Sequence, residues 1–172
     1  ERDTTLTPAG LKQVDRLDEL LEADPATKDV QVILASPMSR TIQTAATGCR
    51  SLIARGVPVE LCALVAERNC GVLFPADHGS SKQQLARAWP NVVADKWKGL
   101  DELPDTWPSE RKEFCWAQRV GEFREYLLDR PEKVVAVVGH GAFTIGLTGA
   151  HLGNAKFAWR TMLPDGSFER PE

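Results

Sequence analysis

Two short apolar runs constrain the fold of this chain more than any other feature: Val30-Gln31-Val32-Ile33-Leu34-Ala35 and Val134-Val135-Ala136-Val137-Val138. Both have strand length and are rich in β-branched residues, and neither alternates strictly with polar positions. A strand that is apolar on both faces must be covered on both, which is the pattern of a parallel sheet held between helical layers. Ser36-Pro37 ends the first run and Gly139-His140-Gly141 ends the second. A segment of helical spacing follows each.

Helical segments recur around these strands. Thr7-Pro8 supplies a capping hydroxyl and a proline at the first helical position. Leu11, Val14, Leu17, Leu20 and Leu21 then form one stripe that Asp24-Pro25 stops. A second helix is expected over 39–54, with Ile42, Ala45, Cys49, Leu52 and Ile53 inward and Gly56 as terminator. Residues 57–64 read as a strand leading to Glu67. Ser81 and Gln84 stand at capping-box spacing for a short helix over 81–88. A long amphipathic helix is expected over 108–129, with Ala117, Val120, Phe123 or Arg124, and Leu127 inward, and another helix from 141 to about 152. Residues 157–163 read as a last edge strand. Alternating strands and helices imply an α/β, three-layer sandwich with a mainly parallel sheet and helices on both faces. A single domain spans 1–172, and residues 68–107, where periodicity fades, form a lid-like insertion.

Composition narrows the function. The chain carries 21 Lys+Arg against 24 Asp+Glu, a net charge of −3, and no basic block, which argues against nucleic acid as a partner. No apolar run approaches the ~20 residues of a membrane span. Cys49, Cys62, Cys70 and Cys115 include no C-x-x-C pair and have no zinc-like spacing with His78, His140 or His151. They read as reduced thiols of a cytoplasmic protein, and no metal site is expected.

In open α/β sheets a ligand sits beyond the carboxyl ends of the strands, and three segments put chemistry there. Arg40 lies in the first turn of a helix just past a strand. Free N–H groups and the helix dipole favour an anion there, and a guanidinium adds a fork suited to phosphate. A cation at a helix N-terminus is itself disfavoured, so a compensating anion is expected. His140, between two glycines directly after a buried strand, has a backbone free to approach a ligand closely. Glu67, at a strand end, has the chemistry of a general acid or base. His151 and His78, by contrast, read as a helix-end and a loop residue.

Taken together, these segments resemble the histidine phosphatase superfamily, the phosphoglycerate-mutase-like fold. Asp3 with Leu6-Thr7-Pro8-Ala9-Gly10 and Gln13 resembles the stretch that follows that family's nucleophile. Ser36-Pro37-Met38-Ser39-Arg40-Thr41-Ile42-Gln43-Thr44-Ala45 is similar to its S-P-L-x-R-T-x-Q-T-A helix, the most specific of the matches. Glu67, with Gly71 after it, stands where the family has its acid/base glutamate. Asp77-His78-Gly79-Ser80-Ser81 is similar to a segment of some plant and fungal members, and Val138-Gly139-His140-Gly141-Ala142-Phe143 matches the second-histidine motif.

The resemblance implies phosphoryl transfer to a histidine without metal or organic cofactor, acting on a small phosphorylated substrate. Arg40 and His140 would hold the phosphoryl oxygens, and Glu67 would protonate the leaving oxygen. Gly141, Arg68 and His78 would contact substrate. Three departures stand out. The nucleophilic Arg-His-Gly tripeptide is absent, Gly139 replaces the usual Ser or Thr, and Trp159 stands where relatives often place asparagine. The match starts just downstream of the tripeptide's place, so the expectation is a chain lacking its first strand. The fragment alone would then be inactive, and the complete chain a phosphatase. A phosphoglycerate mutase, or a non-catalytic phosphate-binding relative if the protein starts at Glu1, are the alternatives. The lid carries five basic and five acidic residues, which favours a monophosphate over a polyphosphate and a phosphatase over a mutase.

Overall fold

The computed structural model describes residues 2–68, 75–94, 97–103 and 116–169. In chain order its elements are α1 (Pro8–Ala23), β1 (Val32–Ala35), α2 (Ser39–Gly48), α3 (Arg50–Ala54), β2 (Val59–Leu61), α4 (Lys82–Ala88), α5 (Pro90–Ala94), α6 (Trp116–Leu128), β3 (Val135–Val138) and α7 (Gly141–Thr148). Short 3-10 turns lie at Pro25–Asp29, Ala63–Val65 and Pro75–Asp77. The three strands form one parallel sheet in the order β2-β1-β3. Ile33 pairs with Val59 and Ala136, and Ala35 with Leu61 and Val138.

All four residues of β1 are fully buried, because it is central and covered on both faces. Alternate residues of a strand point to opposite faces, and the two faces have separate cores. Ile33 and Ala35 belong to a cluster with Leu17, Leu21, Ile42 and Leu52, from α1 to α3. Val32 and Leu34 belong to another with Val120, Phe123, Phe143 and Leu147, from α6 and α7. This is the expected three-layer α/β arrangement.

Local chemistry sets the element ends. Thr7 Oγ1 accepts the Gly10 N–H at 3.1 Å, with Pro8 at the first position of α1. Ser81 and Gln84 close both bonds of a capping box at the start of α4. Leu85, Val92 and Leu103 are buried in the same cluster as Ile33. Trp89 and Trp97 pack on that cluster, and Trp116 packs on the opposite one.

Several expectations need correction. The helix over 39–54 breaks at Cys49, because buried Asp18 of α1 accepts the Ser51 N–H at 2.8 Å and restarts the helix as α3. The strand over 57–64 shrinks to β2, and the chain then tightens into the 3-10 turn. The helix after His140 stops at Thr148, because Gly149 takes a left-handed conformation with φ 75°. Residues 157–163 form no strand beyond one bridge between Met162 and Phe168. On α6, Ala117 is exposed and Arg119 is buried instead. Residues 108–115 of the expected helix, together with Cys70, Gly71, Lys96 and Trp107, lie outside the described residues.

β3 is not buried on both faces. It is an edge strand, paired only with β1 among the described residues. Val137 is 38 % exposed there, and Ile145 of α7 is 43 % exposed. Among the described residues no helix is long and apolar enough to cross a membrane.

Candidate active site

β1 and β3 are neighbouring parallel strands, so their carboxyl ends deliver two helix N-termini to one place. β1 runs into Ser36-Pro37-Met38 and then α2, while β3 runs into Gly139-His140 and then α7. The Ser36 N–H donates to Val138 O at 3.0 Å and ties the two turns together. The first N–H groups of a helix lack intrahelical partners and carry partial positive charge, so this end of the sheet is electropositive before any side chain is counted.

Arg40 and His140 meet there. Arg40 Nη2 lies 3.2 Å from His140 Nδ1, and His140 Nε2 lies 2.8 Å from Ser36 Oγ. A guanidinium has only donors, so Nδ1 accepts, and the ring proton sits on Nε2 and is donated to Ser36. The ring is therefore neutral. Burial first, and then the charges of Arg40 and Arg119, hold its proton affinity well below the ordinary histidine range. His140 is also the N-cap residue of α7, with Gly141 the first helical residue.

One side chain supplies an anion at Arg40. Arg40 Nη2 pairs with Asp77 Oδ1 at 2.8 Å, and Arg40 Nη1 donates to Ala76 O at 2.9 Å. Asp3 is buried, and its carboxylate accepts the Ser39 N–H at 2.7 Å and the Ser39 hydroxyl at 2.9 Å. This carboxylate caps α2 where the residue at the cap position, Met38, cannot. Asp3 holds a left-handed backbone with φ 46° to do so. The Leu6 N–H donates to Gln43 Oε1 at 2.6 Å, so residues 2–7 are laid across the N-terminal half of α2.

Gly139 shows why a larger residue is missing before His140. A Cβ built there would stand 2.8 Å from Val65 Cγ1, a fully buried side chain. The turn that leads to Glu67 is thus packed directly on the turn that leads to His140. Glu67 Oε1 accepts the Arg68 N–H at 2.7 Å. The Arg68 guanidinium lies 4.8 Å from the centre of the Trp116 ring. His78 follows Asp77, and the Arg2 guanidinium donates to its Nδ1 at 2.6 Å. His151 is exposed beyond α7.

The structure thus joins Arg40 and His140 directly and sets Gly141 beside them. His78 follows Asp77 in the chain but its ring contacts Arg2, and Glu67 with Arg68 lies on the turn packed against Gly139. Four contributors escaped the sequence reading: Ser36, Asp77, Asp3 and Arg119. The first three sit inside recognised stretches but had no stated role. Arg119 had a signal of its own, a charged residue on the stripe formed by Trp116, Val120 and Phe123. The thiols of Cys49 and Cys62 are pushed up to about 12 and about 11 by burial, so neither is a ready nucleophile. Among the described residues no group of three or more His, Cys, Asp or Glu is placed to hold a metal ion.

Residues 1–170 match the family described as the histidine phosphatase superfamily, branch 1. A protein of Schizosaccharomyces pombe named as a probable phosphatase is 29% identical over 147 residues, covering 82% of this chain and 64% of its own length. A phosphoglycerate mutase-like protein of Arabidopsis thaliana is 28% identical over 174 residues, covering 84% of this chain and 62% of its own. The chain spans less than two thirds of the length of either relative.

Proposed function

This chain belongs to the histidine phosphatase superfamily, and from that premise we propose that it carries most of the active site of a phosphatase that hydrolyses a small phosphomonoester through a phosphohistidine. The observation that supports this most is the Arg40–His140 contact, where two helix N-termini converge. Arg40 grips two oxygens of the phosphoryl group. An arriving dianion reverses the local field, so His140 takes a proton from solvent water on Nδ1 in place of the Arg40 hydrogen bond and donates a hydrogen bond through it to a third oxygen, while Nε2 stays on Ser36. Gly141 offers a backbone N–H at the α7 terminus. Charge that develops on the transferring group is stabilised by donors already in place.

The nucleophile is a histidine of the complete protein outside residues 1–172, on a strand that pairs with β3 along the side left unpaired among the described residues. Asp3 and Leu6, anchored on α2, bring the chain to the mouth of the pocket, which suits such a strand. Its nitrogen attacks phosphorus in line, and the P–O bond to the leaving group breaks as Glu67 protonates that oxygen. Glu67, now a carboxylate, takes a proton from water as the water attacks the phosphohistidine. Arg68 and His78 contact the remainder of the substrate at the rim. Every step draws on side chains and water, with no metal or cofactor invoked, in a cytoplasmic setting.

The test uses the full-length protein. Mixing with a labelled phosphomonoester and quenching should trap an acid-labile phosphoenzyme. Arg40→Ala and His140→Ala should each abolish turnover, and wild-type rates in both would overturn the assigned pocket. Phosphoryl transfer to a phosphoglycerate acceptor in place of release to water would identify a mutase.

A further inference from the structure

We propose that Arg119 is a positioning residue for Glu67: its guanidinium grips the backbone of the turn that carries Glu67 and sets where that carboxylate stands. Arg119 is only 1 % exposed and is the largest fully buried side chain of the described residues. One nitrogen, Nη1, donates to Leu64 O at 3.1 Å and to Ala66 O. The other, Nη2, donates to Glu67 O at 2.9 Å. Three carbonyls from four successive residues thus converge on one planar fork.

A buried charge is costly unless hydrogen-bonded, and an apolar residue would continue the stripe of Val120 and Phe123. The guanidinium therefore has a task that packing alone does not explain. The turn needs such a grip: after the 3-10 residues Ala63–Val65, the described residues Ala66, Glu67 and Arg68 belong to no helix or strand. Arg119 also lies 6.0 Å from the centre of the Phe143 ring, on the helix that His140 caps. One guanidinium is held against both halves of the pocket.

This inference rests on Glu67 as the leaving-group acid, and the experiment separates the two. Full-length wild type, Glu67→Gln, Arg119→Met, Arg119→Lys and the Glu67→Gln/Arg119→Met double variant are assayed on aryl and alkyl phosphates of graded leaving-group pKa. Glu67→Gln should cost about 100-fold or more in kcat on alkyl phosphates and far less on p-nitrophenyl phosphate. Equal losses on both would refute the acid role itself. Given that skew, Arg119→Met should show the same skew, about 10- to 100-fold on alkyl phosphates with KM little changed. The double variant should then fall no further than Glu67→Gln.

Losses in Arg119→Met that are equal across leaving groups, or that add fully to those of Glu67→Gln, would overturn the positioning role. If the methionine variant does not fold, Arg119→Lys decides the matter. It keeps the charge, but its single nitrogen cannot occupy both positions of the fork, so it should retain the fold and show the skewed loss. A lysine variant with wild-type leaving-group dependence would overturn the proposal.

Discussion

The neutral state of His140 should be visible as a pH dependence of folding. In the unfolded chain the imidazole titrates near its ordinary value of 6.5, whereas the folded ring takes a proton only well below it. Between those values the unfolded state binds more protons, so stability falls as pH falls through 6.5. The limiting slope is ~1.4 kcal/mol per pH unit for one such group. Integrated from pH 7.5 to 5.5, the expected loss from His140 alone is about 1.4 kcal/mol. Carboxylates also contribute over this range, so the measurement is a difference between wild type and His140→Gln. Urea titrations followed by tryptophan fluorescence at both pH values would give it, provided the m-values match. The wild type should lose about 1.4 kcal/mol more than the variant. Saturating inorganic phosphate should shrink that excess, because a bound anion favours the protonated ring. An identical pH loss in both proteins would refute a buried neutral His140.

The remaining predictions concern the neighbours of this pair. Asp3→Ala removes the carboxylate that caps α2 and leaves the Ser39 N–H without its acceptor, so stability should fall by about 2 kcal/mol. Calorimetry should register this as a drop in Tm of roughly 4–8 °C, and an unchanged Tm would exclude the cap. Gly139→Ser should be destabilising because its Cβ meets Val65 Cγ1 at 2.8 Å. Val65→Ala in the same chain should recover part of that loss, and strictly additive effects in a double-mutant cycle would refute the steric account. Asp77→Asn keeps a hydrogen-bonding partner for Arg40 but removes a negative charge 2.8 Å from it. Inorganic phosphate should then bind severalfold more tightly, and weaker binding by calorimetric titration would show that Asp77 serves only to orient Arg40.

Periodicity and punctuation made the layers legible. The apolar runs that became β1 and β3, the Thr7-Pro8 start and the Ser81/Gln84 capping box are all local signals, and local energetics decided them. The same holds for Arg40 and His140, since each follows directly on a strand end. Element ends were less legible wherever a distant group set them. Cys49 has no helix-breaking character of its own, and the break there comes from Asp18, a residue of another helix.

The sequence by itself determined the class of fold, the order of its elements and the two turns that carry Arg40 and His140, because those depend on spacing along one stretch of chain. Only the tertiary structure decided that β3 ends the sheet among the described residues, since burial depends on which strand lies beside it. Contacts across long separations likewise settled that His140 is neutral and leans on Ser36, that Asp77 holds Arg40, and that Arg119 turns inward to the Glu67 turn. Each of these follows from charges and dipoles brought together in a low-dielectric interior, a circumstance that exists only once the chain has folded.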